Sequence, residues 1–360
     1  MLMTRRTMVA GMVSLTAPAL LGGRAKAQNM INLTMSSSHP TTLAWVQPLQ
    51  TVIVARSNAM LEERGSDYRI NWTESYGGAL YGFGETLSAI TQNLTDMGWI
   101  GALWEENDLP LQNIMFRTPF STQTVAQAVN TMNRLNAEHP AMQAEWDRAN
   151  ITYFGTCVSD SYQLLMKEPI DSLEQLRGKR IIGVPTLASW VEPLGASLVP
   201  SGLPQMYSQL QTGVGDGVLI IGTGAYPLRL HEQAPYILRL DTGPFCFGGF
   251  GINSDVYNSL PEDVQQVLAE LGMEYSHENV RIIDELEPRV FALFEEEGAT
   301  VLETPPGLRE EYVMGLGDIA GEWVRSLEAR GIPARDFLLT YMETLREEGA
   351  EPLRDWAADV

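Results

Sequence analysis

Apolar residues recur along the chain at two spacings, the two-residue period of a half-buried strand and the 3.6-residue period of a helix. In the first part of the chain, strands are predicted over 31–35, 68–72 and 97–100, with a helix over 42–64 and helical spacing from 83 to 94. Strands that alternate with helices predict an α/β protein with largely parallel sheets.

The middle of the chain repeats this alternation. Strands are predicted over 162–166, 180–184 and 217–221, with a short helical turn at 171–176 and a helix over 205–212. The repetition predicts a second α/β unit after the first one.

A long helix is predicted after Pro261, which is a favourable residue at a helix start. Apolar residues between 264 and 271 follow the i, i+3, i+4, i+7 rule, and the same period resumes at Ile283. Pro288 lacks a backbone N–H, so it predicts a kink or break in this helix. The remaining C-terminal residues are predicted to form helices on the outside of the molecule.

The N-terminus is typical of an export signal rather than of folded structure. Arg5 and Arg6 precede an apolar stretch over 8–21, and the sequence Ala-Lys-Ala at 25–27 fits a signal-peptidase site. We expect cleavage after Ala27 and a periplasmic mature protein; whether the Sec or the twin-arginine route is used stays open. An uncleaved anchor is the alternative, but the apolar stretch is shorter than the ~20 residues of a membrane-spanning helix.

Length and charge limit the architecture and the partners. The 360 residues are enough for two lobes. The formal charge of −21 becomes −25 when the four basic residues of 1–27 are removed, since that segment has no acidic residue. Such a surface repels nucleic acid and anionic lipid, so neither is expected as a partner.

The cysteine and histidine pattern gives no metal site. The cysteines are Cys157 and Cys246, no Cys-x-x-Cys motif occurs, and the four histidines stand apart from one another. No metal or cofactor is therefore expected. A disulfide between the two cysteines is possible in an exported protein, and the sequence leaves it open.

Catalytic motifs are also missing from the sequence. There is no Gly-x-Ser-x-Gly elbow, no His-Glu-x-x-His and no phosphate-binding loop. Gly82 and Gly84 lack the third glycine of a dinucleotide-binding fingerprint, and His277 is followed by Arg281 where a second zinc ligand would stand. We therefore expect a binding protein, with no catalytic residue, rather than an enzyme.

Several segments, in the same order along the chain, resemble one protein family. The strongest are 169–178 (PIDSLEQLRG), 207–217 (YSQLQTGVGDG) and 259–265 (SLPEDVQ), supported by Gly195-Ala196 and by the region 78–97. They are similar to segments of the DctP family, the extracytoplasmic solute-binding proteins of TRAP (tripartite ATP-independent periplasmic) transporters.

The resemblance implies a two-lobed α/β fold like that of periplasmic binding proteins, with hinge strands and a long helix crossing both lobes. Lobe I would comprise 28–160 and 242–282, and lobe II would comprise 161–241 and 283–360. A small organic ligand would bind in the cleft, the lobes would close on it, and a monomeric protein would deliver it to membrane permease subunits of the transporter.

The resemblance also gives an expectation about the ligand. Members of this family usually hold a carboxylate with an Arg, and ungapped counting places that position at Ile182; a family Asn falls near Ile220, and a second Arg falls near 161–163. These departures predict an organic acid with a substantial apolar part rather than a simple C4 dicarboxylate. A quaternary ammonium ligand in an aromatic cage is the competing prediction.

The residues expected to contact the ligand combine these positions with aromatic and polar residues near the predicted cleft. Their matched positions or their places after predicted strands select them, although each tryptophan is equally compatible with the core. They are Trp99, Tyr162, Gln163, Ile182, Trp190, Ile220, Thr223 and Phe247.

Two other functions remain compatible with the sequence. One is a periplasmic ligand-binding module of the same fold that serves a sensor, and the other is a secreted hydrolase. Neighbouring genes would separate the first from a transporter component, and turnover of a bound compound would reveal the second.

Overall fold

The structure, a computed structural model, describes residues 29–358 and 360. The predicted signal peptide and its cleavage site lie outside the described residues. The strands are β1 (Asn29–Ser36), β2 (Tyr68–Ser75), β3 (Met97–Ile100), β4 (Ile151–Ser159), β5 (Tyr162–Met166), β6 (Arg180–Gly183), β7 (Ser197–Pro200), β8 (Gly217–Ile221), β9 (Tyr236–Leu238), β10 (Phe245–Asn253) and β11 (Thr300–Leu302).

The helices lie on the faces of the two sheets that these strands form. They are α1 (Ala55–Glu63), α2 (Thr86–Thr91), α3 (Ile114–Arg117), α4 (Val125–Glu138), α5 (Pro140–Arg148), α6 (Ala188–Val191), α7 (Leu203–Gln211), α8 (Gly222–Ala225), α9 (Ser254–Ser259), α10 (Glu262–Glu296), α11 (Leu308–Gly315), α12 (Ile319–Glu328) and α13 (Ala334–Glu347). No helix in the described part of the chain is long and apolar enough to cross a membrane.

Each lobe is built on one mixed sheet. The first sheet has the order β2-β1-β3-β10-β4, and the second has the order β11-β9-β5-β8-β6-β7. β1 runs parallel to β2 and β3, whereas β10 is antiparallel to β3 and β4. β8 and β7 run parallel to β6, and β5 is antiparallel to β8 and β9. The predicted two-lobed α/β fold is confirmed.

The chain passes between the lobes along adjacent connections. β4 of the first sheet leads to β5 of the second through two residues, and β9 returns to β10 through 239–244. A hydrogen bond links the two connections: the backbone N–H of Tyr162 donates to Oγ1 of Thr242 at 3.0 Å. A third crossing is made by α10, which packs on β4 in one lobe and on α8 and β11 in the other.

Helix α10 spans 35 residues, or roughly 50 Å, and continues through Pro288. The predicted break at this proline is therefore wrong; a proline can be accommodated within a long helix when neighbouring packing holds the helix together. The helix lies very close to β4, since a Cβ on Gly155 would be 2.3 Å from the carbonyl oxygen of Gly272. Two facing glycines make this contact possible.

The C-terminal helices do not all belong to lobe II. α11 packs on turns of the second lobe, but α12 contacts α3 and α13 contacts α4, which are both in the first lobe. Polar contacts follow the same division, since the Thr118 hydroxyl donates to Tyr341 and the Trp356 indole donates to the Pro119 carbonyl. The sequence-based assignment of 283–360 to lobe II therefore needs correction for α12 and α13.

Some predicted helices begin or end elsewhere. The helix predicted over 42–64 starts with a π-helical segment, Leu49–Val54, directly after Pro48, and only then continues as α1. The helix predicted from 83 to 94 is the shorter α2, which ends before Asn93, a residue with a positive φ of 57°. In both cases the predicted helix was too long, because turns next to the helix also have apolar residues at helical spacing.

Candidate functional site

A small cavity of about 30 Å³ lies between the two lobes. The first lobe contributes mainly aromatic side chains, the second contributes aliphatic ones, and the β4–β5 crossing contributes a serine and a tyrosine. The lining residues are Trp45, Leu103, Trp104, Ser159, Tyr162, Val184, Leu203, Met206, Leu219, Ile220, Ile221 and Phe247. No acidic or basic side chain of the described residues is in this lining.

The aromatic wall is held in place by the long helix and by a bulge in β10. The Tyr275 hydroxyl of α10 donates to the carbonyl oxygen of Trp45 at 2.7 Å. The register of β10 against β4 shifts between Cys246 and Gly248, which has a φ of +149°, and this bulge includes Phe247. The rings of Trp45 and Phe247 then meet edge to face, with centroids 5.2 Å apart.

Behind this wall lies an aromatic cluster centred on His39, in the loop after β1. The His39 ring stacks on Phe83 with centroids 4.4 Å apart, and it lies 4.6 Å from Trp99 and 5.2 Å from Trp104. Trp45 Nε1 donates to His39 Nδ1 at 3.1 Å. Burial lowers the pKa of His39 to about 3, so its imidazole is neutral.

The aliphatic wall comes from chain segments that end or begin at the same edge of the second sheet. Ile220 and Ile221 close β8, Val184 follows the end of β6, and Leu203 and Met206 lie in the first turns of α7. In α/β sheets, ligands bind outside the carboxyl ends of the parallel strands. β6 and β8 are parallel, so the cavity lies where this rule places a ligand.

The structure brings four of the predicted residues to the cleft. Tyr162, Ile220 and Phe247 line the cavity directly. Trp99 lies one layer behind the lining, where its ring is 5.8 Å from that of Phe247 and its Nε1 donates to Sγ of Cys157 at 3.0 Å.

Two predicted polar residues have structural partners away from the cavity. Gln163 is fully buried and exchanges hydrogen bonds with Asp241, because its amide nitrogen donates to the carboxylate at 3.0 Å and its oxygen accepts from the Asp241 backbone at 3.2 Å. Thr223 donates from its backbone N–H to Asp160 Oδ2 at 3.0 Å. Consecutive residues of a strand face opposite sides, so Tyr162 faces the cavity and Gln163 does not.

Two predicted apolar residues also lie outside the lining. Trp190 packs on Phe116 and Phe245 and donates to the Phe116 carbonyl at 2.8 Å. Ile182 lies within β6, where a Cβ on Gly215 would be 2.5 Å from its Cγ1. Val184, two residues later in the chain, lines the cleft.

Sequence reasoning missed three important residues of the first lobe. Trp45 and Trp104 line the cavity, and His39 holds the indole of Trp45. The position of two of these residues after predicted strands could have identified them. His39 follows β1 and Trp104 follows β3, and these strands are parallel neighbours in the sheet. Residues after the carboxyl ends of such strands converge at one edge.

The two cysteines are free and buried. Cys246 pairs with Val158 across the β10–β4 ladder, so its side chain leaves on the face opposite to that of Cys157. Burial raises the pKa of both thiols, to about 12 for Cys157. The possible disulfide is not formed, and within the described residues no group of three His, Cys, Asp or Glu side chains is arranged to hold a metal ion.

Polar contacts join the lobes beside the cavity. Thr186 of the second lobe donates to Oε1 of Glu106 of the first lobe at 2.7 Å, and the same oxygen accepts from Arg117 at 3.0 Å. Arg117 Nη1 also lies 3.5 Å from the hydroxyl of Ser189. We call Glu106, Arg117, Thr186 and Ser189 the interlobe latch.

Comparison with known proteins identifies the family. The family model of DctP, described as bacterial extracellular solute-binding protein, family 7, matches residues 54–316. The chain belongs to the DctP family. The family resemblance seen in the sequence is confirmed. A curated relative of this DctP protein is a solute-binding protein of Sulfitobacter sp. strain NAS-14.1, 28% identical over 130 residues, which are 36% of this chain and 39% of that relative.

Solved structures share the fold at low sequence identity. A TRAP solute-binding protein from Rhodoferax ferrireducens T118, in complex with copurified benzoate, is 16% identical with a TM-score of 0.76, over 89% of this chain and 98% of the other. A marine metagenome TRAP solute-binding protein specific for aromatic acid ligands, with 3-hydroxybenzoate, is 18% identical with a TM-score of 0.75, over 89% and 99%.

Proposed function

We propose that this DctP protein is the extracytoplasmic receptor of a TRAP transporter and captures a small organic acid with a substantial apolar part. The observation that carries the proposal is the composition of the interlobe cavity. Its lining has aromatic rings on one side, aliphatic chains on the other and no arginine or lysine among the described residues. Such walls suit a ligand with an aromatic or hydrocarbon body.

The same lining argues against a simple C4 dicarboxylate. Burying an unpaired carboxylate is costly, and two such groups on a four-carbon chain would both need partners inside the cleft. Val184 and Ile220 offer none at the second-lobe wall. The fold relatives that carry benzoate and 3-hydroxybenzoate support an aromatic acid as the first candidate to test.

The cavity is much smaller than the roughly 300–1,000 Å³ of typical ligand sites. Binding therefore requires the walls to move apart, and the hinge between β4–β5 and β9–β10 allows this movement. The walls of the two lobes would then enclose the ligand from both sides.

The ligand class is tested by a thermal-shift and calorimetry panel on the mature protein. We expect benzoate, 3-hydroxybenzoate or a related apolar acid to raise the melting temperature, because a ligand that binds only the folded state stabilises it. Succinate, malate and fumarate should produce no shift at the same concentration. Tight binding of a C4 dicarboxylate would contradict the proposal.

The location of binding is tested by Leu203→Trp, which places a larger side chain at the half-buried first turn of α7, in the cavity wall. We expect at least a tenfold loss of affinity for the acid found in the panel. Leu339→Trp is the matched control, because Leu339 is exposed on α13, and its affinity should stay native. Equal affinity in both variants would place the ligand elsewhere.

Export, delivery and monomeric state belong to the same proposal. Mass spectrometry of periplasmic protein should find Gln28 as the first residue, and reconstituted permease subunits should take up the ligand only when the loaded protein is added. A sensor module would bind the ligand without supporting uptake, whereas a hydrolase would convert it. The binding-receptor fold of the family favours binding without turnover.

A further inference from the structure

One buried polar group of the aromatic cluster has no partner in the fold. His39 is fully buried, and its Nε2 makes no hydrogen bond. Its other ring nitrogen, Nδ1, accepts from the indole N–H of Trp45. An indole nitrogen can only donate, so Nδ1 carries no proton, and the single proton of the neutral ring is on Nε2. His39 therefore presents a buried N–H donor.

The surroundings of this donor consist of rings rather than oxygens. Phe83 and Trp99 lie against the imidazole, and Trp104 meets it edge to face. A buried donor without an acceptor is unfavourable, and native proteins rarely keep one unless it has a use. The hydrogen-bonding capacity of His39 is thus available to a group that enters from outside the chain.

Two side chains that line the cavity separate it from this donor. Trp45 and Trp104 touch both the cavity and His39. Phe83 and Trp104 are only half-buried and lie on loops after β2 and β3. Phe83 also touches the second lobe, since a Cβ on Gly202 would be 3.2 Å from its ring. Separation of the lobes would remove this contact and uncover the rings around His39.

We propose that the Nε2–H of His39 recognises the ligand by donating to a carboxylate or carbonyl oxygen, with the apolar body of the ligand in the cavity, against the rings of Trp45 and Trp104. This inference rests on the proposed function, and it deepens that function by assigning the polar contact. It also separates the ligand classes, because a buried N–H donor favours an oxygen acceptor and opposes a quaternary ammonium cation.

Nitrogen NMR on the native protein tests the contact directly, with benzoate as the probe. In protein labelled with ¹⁵N at its histidine rings, His39 should show the Nε2–H tautomer, and saturating benzoate should shift its Nε2 resonance while Nδ1 changes little. The His39→Gln variant assigns the signals. An unshifted Nε2 with benzoate bound would overturn the role of His39.

Calorimetry with variants gives the second test. His39→Phe keeps a flat ring and removes the donor, so benzoate affinity should fall at least tenfold; His39→Gln restores an N–H and should recover part of the loss. His277→Phe is the matched control, because His277 is exposed on α10, and it should bind like the native protein. Equal affinity of His39→Phe and the native protein would overturn the inference.

The two proposals fail in distinguishable ways. If the native protein binds benzoate and His39→Phe binds it equally well, the receptor function stands and the role of His39 is wrong. If the native protein binds none of the apolar acids of the panel, or binds a quaternary ammonium compound instead, the ligand class and the role of His39 are both wrong.

Discussion

Asp160 is a buried carboxylate at the first crossing between the lobes. Its oxygens accept from the backbone N–H and the hydroxyl of Thr223, at the start of α8, and no basic side chain of the described residues pairs with it. Burial outweighs these hydrogen bonds and raises its pKa to about 6. The hinge is therefore held by an interaction that costs stability when the carboxylate is charged.

This cost predicts an unusual pH dependence. The folded pKa of about 6 lies above the unfolded value of ~3.9, so the destabilisation is fully present above pH 6 and is relieved as pH falls toward 4. Between pH 7.5 and 5.0, Asp160 should add about 1 kcal/mol to the free energy of unfolding. In urea titrations, the native protein should gain this increment relative to Asp160→Asn. Asp171→Asn, at an exposed position, should keep the native dependence.

Single positions also show what the sequence could not predict. Ungapped counting placed a site residue at Ile182, whereas the residue that lines the cavity is Val184, which directly follows the end of β6. The aliphatic character of the wall was predictable. Which residue after β6 reaches the cavity depends on where the strand ends relative to the cleft, and residue spacing alone does not predict that. Gln163 was selected for its donors, but those donors are used by Asp241 across the hinge.

At the scale of elements, the contact between α10 and β4 determines how the first-lobe wall is placed. Asn279 of α10 accepts from the Val158 backbone at 2.6 Å and donates to the Ala44 carbonyl at 3.1 Å. Ser276 donates to the Thr156 carbonyl at 2.7 Å. The helix thereby fixes both β4, which leads into the hinge, and the segment that carries Trp45.

The close approach of this helix predicts a sensitive glycine. In Gly272→Ala, the new Cβ would lie 2.3 Å from Cβ of Phe154, so the helix and strand would have to separate. Overpacking of this kind typically costs about 1–3 kcal/mol, which exceeds the roughly 1 kcal/mol that alanine gains in helix propensity. Chemical denaturation should show a net loss of stability.

The adjacent position supplies the control for this prediction. Met273 is exposed on the same helix, and Met273→Ala should change the free energy of unfolding by no more than about 0.5 kcal/mol. A Gly272→Ala variant as stable as the native protein would show that α10 can move away from β4 without loss.

Periodicity predicted some elements better than others. β5 and β8 have strong apolar patterns and were predicted at their observed bounds, and the start of α10 was predicted directly after Pro261. Apolar periodicity did not predict β10 as a strand, because Gly248, Gly249 and Gly251 are typical of loops. The glycines are needed there for close approach to neighbouring strands, as a Cβ on Gly248 would lie 1.9 Å from the Ile100 carbonyl oxygen. Long-range packing of this kind has no local signature.

At the scale of the whole molecule, the polar contacts between the lobes include the interlobe latch and the hydrogen bond from the Trp190 indole to the Phe116 carbonyl. Within the latch, Thr186 is the donor from the second lobe. The connections at the hinge, in contrast, are tied by Gln163, Asp241 and Thr242. This distribution suits a molecule that opens at the cleft and stays joined at the hinge.

Under the proposed hinge motion, the latch contributes to the stability of the closed form. Thr186→Val keeps the side-chain shape and removes the hydroxyl, and a hydrogen bond of this type contributes about 0.5–1.5 kcal/mol. Closure should become roughly 2–10-fold less favourable, and the affinity for the ligand should fall by a similar factor, since the ligand contacts both lobes only in the closed form. Thr212→Val, at an exposed position on the second lobe, should retain native affinity.

Small-angle X-ray scattering measures the same equilibrium as a change of size. The native protein should show a smaller radius of gyration with saturating ligand than without it, because ligand that touches both walls stabilises the closed form. Ligand-free Thr186→Val should have a radius at least as large as that of the ligand-free native protein, and saturating ligand should restore the compact value. This return to the compact radius distinguishes a shift of the open–closed equilibrium from local unfolding. If the variant were locally unfolded, ligand would not bring its radius of gyration back to the native value. An unchanged radius in the native protein on demonstrable binding would mean that the lobes are already closed before the ligand enters.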